Sequence, residues 1–234
     1  MHLPISKRLL ACCSFIAPGD RVADIGCDHG YLGIHLLQNG IAASVIAADV
    51  NRQPLDSAYV NAHKYGVQNK MSFYLSDGAV DIPRDFDTMV CAGMGADTMI
   101  SILAAAPWLQ DSKYRLVLQC QSKIPMLRSF LSRQGWQINR ETALQDGRFL
   151  YTVMEVLWQP GSPVLTPGQC YCSPALLKNP DPIAREYYYQ MLLRLNRAVS
   201  AQKEAADPFM VTAQAELQAL IDKTEFQWLK EESQ

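Results

Sequence analysis

The sequence lacks any apolar run of about 18 residues, the length that a membrane-spanning helix requires. Its N-terminus also lacks the basic and then apolar pattern of a secretion signal. No pair of CxxC motifs occurs, and Cys170-Tyr-Cys172 has no matching histidine cluster. We therefore predict no metal site and no membrane segment. We interpret the seven cysteines as buried thiols of a soluble, cytoplasmic protein.

An excess of basic charge is also missing. The net charge is −2 and the pI is about 6.1, so any binding of nucleic acid must use a local basic patch. Hydrophobic residues, by contrast, are abundant and make up 49% of the 234 residues. This is enough for one sizeable core and an appendage.

Apolar runs with strand character alternate with amphipathic runs over residues 21–134, after a helix predicted at 3–17. This alternation predicts an α/β fold, a parallel sheet with helices on both faces. Two further strands, 136–141 and 150–158, are joined around the turn dipeptide Asp146-Gly147. A Rossmann-like, seven-stranded sheet that ends in such a hairpin is the plan of the class I methyltransferase fold.

The composition changes after this predicted domain, which spans residues 1–158. Six prolines punctuate residues 159–182, and we predict an irregular linker there. Residues 183–234 show helical spacing, with Asp207-Pro208 placed as an N-cap and first helical residue. A C-terminal helical hairpin, resembling a coiled coil, is therefore predicted as an appendage.

The stretch VADIGCDHGYLG, residues 22–33, has the order strand, glycine turn and helix start that is typical of a nucleotide-binding corner. Its glycines, Gly26, Gly30 and Gly33, do not follow the tighter G-x-G-x-x-G spacing of NAD sites. Two carboxylates, Asp24 and Asp28, would repel a pyrophosphate. The stretch therefore favours a ligand that carries positive charge.

Four predicted strands end in small or acidic residues, and the carboxyl ends of parallel strands meet at one sheet edge where ligands bind. These ends are Asp24-Ile-Gly26, Asp49-Val50, Asp77-Gly78 and Ala92-Gly93-Met94-Gly95. S-adenosylmethionine (SAM) suits them. Asp49 is expected to bind its ribose hydroxyls, Asp77 its adenine amino group, and Asp24 its cationic methionine end.

Five runs of the sequence are specific enough to indicate one protein family. They are DIGCDHGYLGIHLL, AADVN, SDG, AGMGADTMISIL and the later LVLQCQSKIPMLRSFLSRQGWQINRETALQDGRFLYTVMEV. The chain resembles, over about residues 4–158, the bacterial tRNA adenine-N1 methyltransferases that act at tRNA position twenty-two. The resemblance implies SAM as cofactor and tRNA as substrate. The implied cofactor-binding residues are Asp24, Gly26, Asp28, Tyr31, Asp49, Asp77, Gly78, Gly93 and Met94.

The chain departs from the family pattern at three places. Ala96 stands where a second glycine is usual, Gly33 where proline is frequent, and Cys120-Gln121 where Pro-Asn is common. The last departure falls near the expected place of the target base, so it bears on the substrate more than on the cofactor.

Methyl transfer to N1 of adenine develops positive charge on the ring, which a nearby carboxylate can stabilise. We predict Asp28 in this catalytic role, with His29 or Tyr31 placing the base. A structural role stays open for these residues, since Asp28 can cap the following helix and His29 can serve the turn.

Candidate tRNA contacts are basic residues, of which those in the N-terminal helix and the C-terminal hairpin are the strongest. They are Lys7, Arg8, Lys123, Arg128, Arg133, Arg140, Arg148, Arg185, Arg194 and Arg197. Tyr187-Tyr188-Tyr189 could stack on bases, but we predict that it packs between the C-terminal hairpin and the domain.

Two other functions stay open. One is a SAM-dependent methyltransferase that acts on a small molecule or another macromolecule. The other is a nucleotide-binding protein without methyltransferase activity, since AGMG lacks a base-clamping N/D-P-P-Y motif. The oligomeric state is also open, with a monomer as the working expectation.

Overall fold

The computed structural model describes residues 3–178, 180–202 and 207–232. Seven strands form one sheet in the order β3-β2-β1-β4-β5-β7-β6. The strands are β1 Asp20–Ile25, β2 Ala42–Asp49, β3 Met71–Leu75, β4 Thr88–Gly95, β5 Arg115–Ser122, β6 Trp136–Asp146 and β7 Phe149–Trp158. Strands β1 to β5 pair in parallel, and β7 joins β5 antiparallel. The predicted Rossmann-like sheet with its closing hairpin is confirmed.

Helices cover both faces of the sheet. They are α1 Lys7–Cys13, α2 Tyr31–Gln38, α3 Arg52–Lys64, α4 Ala96–Ala105, α5 Ile124–Arg133, α6 Pro167–Tyr171, α7 Pro174–Leu177, α8 Pro182–Gln202 and α9 Pro208–Glu232. One buried cluster joins the sheet to α1, α2 and α3, and a second joins its other face to α4 and α5. All seven cysteines are unpaired and buried, as predicted.

The first helix is shorter than the predicted 3–17. It begins after Ser6, whose hydroxyl accepts a hydrogen bond from the backbone N–H of Leu9 at 3.3 Å, and it ends at Cys13. The apolar residues that follow, Phe15 and Ile16, are buried although they lie outside the helix. The predicted helix is too long because apolar residues continue at helical spacing after the last hydrogen-bonded turn.

The segment 159–182 is not the irregular linker that its prolines suggested, because it contains α6 and α7. Pro167 and Pro174 each occupy the first turn of a helix, where a missing N–H costs nothing. Thr166 and Gln169 form a reciprocal capping box at the start of α6. The division of the chain into domains stays a prediction.

Helices α8 and α9 form the predicted C-terminal appendage, and the part of it at 203–206 and 233–234 lies outside the described residues. The Asp207 carboxylate accepts from the N–H of Phe209 at 2.9 Å, which confirms the predicted cap. Tyr187 and Tyr188 are buried in the helix packing, as predicted, whereas Tyr189 is exposed and the prediction is wrong for it. In the described ranges no helix is both long enough and apolar enough to cross a membrane.

Candidate active site

The turn between β1 and α2 is held in a shape that requires positive backbone φ angles. Gly26 has φ +69° and Gly30 has φ +72°, while Asp28 takes φ +50°, a value that few residues other than glycine adopt. The N–H groups of Gly26 and Cys27 both donate to the carbonyl of Ala48, at 2.8 and 3.0 Å. These two hydrogen bonds hold the turn against β2, and its backbone faces the sheet edge.

A cavity of about 390 Å³ lies at this edge, at the carboxyl ends of β1, β4 and β5. One wall belongs to α1, and the floor belongs to the glycine turn and the end of β4. The cavity is lined by Ser6, Arg8, Leu9, Asp24, Gly26, Cys27, Asp28, Leu32, Ala92, Gly93, Met94, Gln119 and Gln121. Five predicted cofactor residues, Asp24, Gly26, Asp28, Gly93 and Met94, thus line a single cavity.

Asp24 is the electrostatic centre of this cavity. Its side chain is only 4% exposed, and its Oδ2 atom has no hydrogen-bond partner among the described residues. Burial, followed by the negative charges of Asp49 and Asp28, raises the pKa of Asp24 to about 7, against a hydrogen bond from the backbone of Gly33. A buried, unpartnered carboxylate is costly, and a cationic ligand would relieve that cost.

Asp49 stands at the end of β2, beside the cavity rather than in its lining. Its Oδ1 accepts from the N–H of Asn51 at 2.9 Å, and its Oδ2 accepts from the N–H of Asp28 at 3.3 Å. A carboxylate has about four lone-pair positions, so both oxygens can still accept from a ligand. Asp49 therefore links the β2 end to the glycine turn and stays able to bind a diol.

Asp77 and Gly78 follow β3, the edge strand, and neither lines the cavity. Asp77 is exposed, and Gly78 has φ +61°, with Ile102 packed where a Cβ would stand. Two strand spacings, roughly 10 Å, separate β3 from β1. A ligand that reached both Asp24 and Asp77 would have to be extended along the sheet edge, as a nucleoside joined to an amino acid is.

The three predicted catalytic residues are neighbours, but they do not all line the cavity. Asp28 lines the cavity, whereas His29 and Tyr31 line an open depression against α3. His29 Nε2 lies 3.6 Å from Asp28 Oδ1, and the rings of His29 and Tyr31 are 5.6 Å apart. Their roles stay predictions, with Asp28 placed best for chemistry in the cavity.

Four polar residues of the cavity lining are absent from the predicted cofactor-binding residues: Ser6, Arg8, Gln119 and Gln121. Gln119 is buried at the end of β5, where its Oε1 accepts from the N–H of Gly93 at 3.1 Å. Gln121 lies at the same strand end, and Arg8 enters from α1. A glutamine that ends an apolar strand is a sequence signal for such a site, but the approach of α1 depends on tertiary packing.

The predicted basic contacts fall into different environments. Arg128 is 0% exposed and pairs with Glu141 at 2.5 Å, so its prediction as a tRNA contact is wrong. Arg8 pairs with Asp146 at 3.2 Å and faces the cavity instead of the outer surface. The residues that stay exposed are Lys7, Lys123, Arg133, Arg140, Arg148, Arg194 and Arg197. The described residues hold no metal-ligating cluster.

Residues 5–154 match the family Methyltransf_18, which is described as a methyltransferase domain. The chain belongs to this methyltransferase family. MG248 of Mycoplasma genitalium, a provisionally named tRNA methyltransferase, is 33% identical over 179 residues, which cover 74% of this chain and 78% of that protein. The tRNA (adenine(22)-N(1))-methyltransferase of Bacillus subtilis is 31% identical over 154 residues, 65% of each chain.

This methyltransferase also resembles a solved structure that carries the cofactor. Sp1610 of Streptococcus pneumoniae, a provisionally named tRNA (m1A22) methyltransferase solved in complex with S-adenosyl-L-methionine, superposes with a TM-score of 0.80. It is 26% identical, and the match covers 93% of this chain and 99% of that one. The similarity therefore includes the C-terminal helices, and the resemblance to this family, suggested by the glycine turn and AGMG, is confirmed.

Proposed function

We propose that this protein transfers the methyl group of SAM to N1 of an adenine in tRNA. The single observation that carries the proposal is the buried Asp24 carboxylate, which faces the cavity with one unpartnered oxygen. Its chemistry calls for a cation, and the methionine end of SAM bears an ammonium and a sulfonium. The substrate is inferred from the related methyltransferases, because the names of two of them refer to adenine 22 of tRNA.

The described residues fit the cofactor along the sheet edge. Asp24 would hold the ammonium, Asp49 would hold the ribose hydroxyls, and Asp77 with Gly78 would meet the adenine end. Met94 closes the turn from the β4 side, because a Cβ on Gly26 would lie 2.2 Å from the Met94 methyl carbon. Glycine suits this position because its φ is +69° and because a side chain there would displace Met94.

The cofactor supplies a methyl group that its sulfonium already activates, so the protein mainly aligns the reactants. The adenine must be unpaired, because N1 takes part in base pairing within a duplex. Asp28 stabilises the positive charge that grows on the ring or accepts a proton from the exocyclic amine. Gln119 holds the Gly93 backbone in place, and Gln121 offers an amide to the base edge.

Incubation of the purified protein with methyl-labelled SAM and total tRNA tests the proposal. We expect label in 1-methyladenosine after nucleoside digestion. Label that appears only in a parallel metabolite extract would instead favour the small-molecule methyltransferase. A protein that binds SAM but labels neither would be the nucleotide-binding protein without transfer activity.

The substrate also determines where the protein works. Since bacterial tRNA is in the cytoplasm, we propose a cytoplasmic location. We expect the monomer to be competent, because each residue that we assign to cofactor or base belongs to one chain.

A further inference from the structure

Four side chains form a continuous surface between the cavity and the tip of the β6–β7 hairpin. The Arg148 guanidinium lies 4.9 Å from the centroid of the Phe149 ring. The Phe149 and Tyr151 ring centroids are 6.3 Å apart, and the Arg8 guanidinium lies 5.0 Å from the Tyr151 centroid. Because Arg8 also lines the cavity, this hairpin ladder leads from the hairpin tip to the cavity wall.

Folding does not account for the outer half of the hairpin ladder. Phe149 is 51% exposed, and it belongs to none of the three hydrophobic clusters. Its chain neighbour Leu150, by contrast, packs against the cluster of the C-terminal helices. Arg148 is exposed as well. An exposed ring with a guanidinium beside it is an arrangement with which proteins stack unpaired bases and contact the adjoining phosphates.

The hairpin ladder also lies on the side of the cavity that a polyanion can approach. Asp24, Asp28 and Asp49 concentrate negative charge on the β1–β2 side. Arg8 stands on the opposite, α1 side. Phosphates are therefore repelled from the first side and attracted to the second. Asp146 binds the Nε of Arg8, and the two Nη atoms make no hydrogen bond or ion pair with any residue that the structure describes.

We propose that the hairpin ladder binds the RNA strand that carries the target adenine, with Phe149 stacked on an unpaired neighbouring base. Arg148 and Arg8 then contact phosphates on the two sides of that base. This inference rests on the proposed function, and it names the surface that the substrate uses.

A second apolar groove is the main competing surface. It has a volume of about 660 Å³ and lies between α4, α5 and the start of α9, with Phe209 and Met126 in its lining. It shares no lining residue with the active-site cavity, and its Lys123 is paired with Asp97 at 2.8 Å. The groove thus lacks the continuity with the cavity that the hairpin ladder has.

Binding of unmodified tRNA to the full chain, measured by fluorescence anisotropy, tests the proposal. We expect Phe149→Ala to raise the Kd about 5- to 150-fold, which is the range for one base–aromatic stack. Phe149→Trp should bind like the original protein because it keeps a ring, whereas Phe149→Leu should resemble Phe149→Ala. Arg148→Gln should reduce the slope of log Kd against log salt by about one unit.

Two control variants accompany these. Tyr59→Ala removes a ring that is also 51% exposed, on α3, and should leave tRNA binding unchanged. Phe209→Ala tests the competing groove. The affinity for SAM and the thermal midpoint are measured for each variant, and Phe149→Ala should alter neither.

Equal tRNA affinity of Phe149→Ala and the original protein would overturn the inference, as would a loss confined to Phe209→Ala. A loss with Phe149→Trp equal to that with Phe149→Ala would also overturn it, since stacking requires only a ring. If the original protein methylates adenine in tRNA while Phe149→Ala does so equally well, the hairpin ladder fails and the proposed function stands. If the original protein neither binds nor methylates tRNA, the proposed function fails as well.

Discussion

The raised pKa of Asp24 predicts that SAM binding releases a proton. In the unliganded protein, burial and the carboxylates of Asp49 and Asp28 raise the pKa of Asp24 to about 7. The cationic end of SAM favours the ionised carboxylate, so binding lowers that pKa again. Affinity for SAM should therefore fall as the pH falls below 7, because the proton competes with the cofactor.

The magnitude follows from the pKa. At pH 7 about half of the unliganded molecules carry the proton, and binding releases about half a proton per site. The apparent Kd is inversely proportional to the fraction of unliganded molecules in which Asp24 is ionised. It should therefore be about 25-fold higher at pH 5.5 than at pH 7.5. The same raised pKa costs the unliganded protein stability as the pH rises through the window from the ordinary value of 3.8 to about 7. Asp24→Asn should consequently raise the thermal midpoint of the unliganded protein at pH 8.

Isothermal titration of SAM in buffers of different ionisation enthalpy measures the proton release directly. Asp24→Asn is the matched control, because it keeps the shape and removes the titration. It should bind SAM weakly, without proton release between pH 5.5 and 7.5. A pH-independent Kd for the original protein, or unchanged affinity in Asp24→Asn, would refute the assignment of this carboxylate to the cofactor.

Three further substitutions test the site and its support, and two of them are paired with a second substitution as control or rescue. Gly26→Ala should weaken SAM binding, because Gly26 lines the cavity at φ +69° and a Cβ there would push the Met94 side chain, another lining residue, to a new position. Gly147→Ala, with similar φ but open space, should cost only the backbone strain, about 1 kcal/mol of unfolding free energy. Asp28→Asn, which keeps the tolerance for positive φ, should lower kcat at least about tenfold with little change in SAM affinity, and an equal loss of both would make Asp28 a cofactor residue. Arg128→Met should cost about 3–5 kcal/mol in urea unfolding because it leaves Glu141 buried and unpaired, and adding Glu141→Leu should restore much of that loss.

The sheet could be predicted because its signals are local. Strands β1 to β4 are apolar runs that end at or just before a glycine or an aspartate, and these strand ends lie at one edge of the sheet. Arg128 carried a local signal too, although it was interpreted wrongly. It shares a helical face with Leu127 and Leu131, both of which are fully buried, so its place on an apolar stripe pointed to the interior. An arginine there needs a partner, and Glu141 could not be identified from sequence alone.

The cavity wall could not be predicted, because it joins segments that are distant in the chain. Arg8 and Asp146 are 138 residues apart, and only the packing of α1 against the closing hairpin brings them together. The prolines of 159–182 were misleading for a different reason. Proline breaks the interior of a helix but fits its first turn, and composition does not distinguish the two positions.

The distribution of charge around the cavity favours different positions for the two ligands, SAM and tRNA. In the proposed function, Asp24, Asp28 and Asp49 attract the cationic cofactor on the β1–β2 side and repel phosphate from it. The arginines of the hairpin ladder, Arg8 and Arg148, provide a positive field on the other side, although the net charge of the chain is close to neutral. Each ligand is thus directed to one wall, and the methyl group and adenine N1 meet between them. A net basic charge is unnecessary for such a protein, since the local field at the cavity matters rather than the sum over the chain.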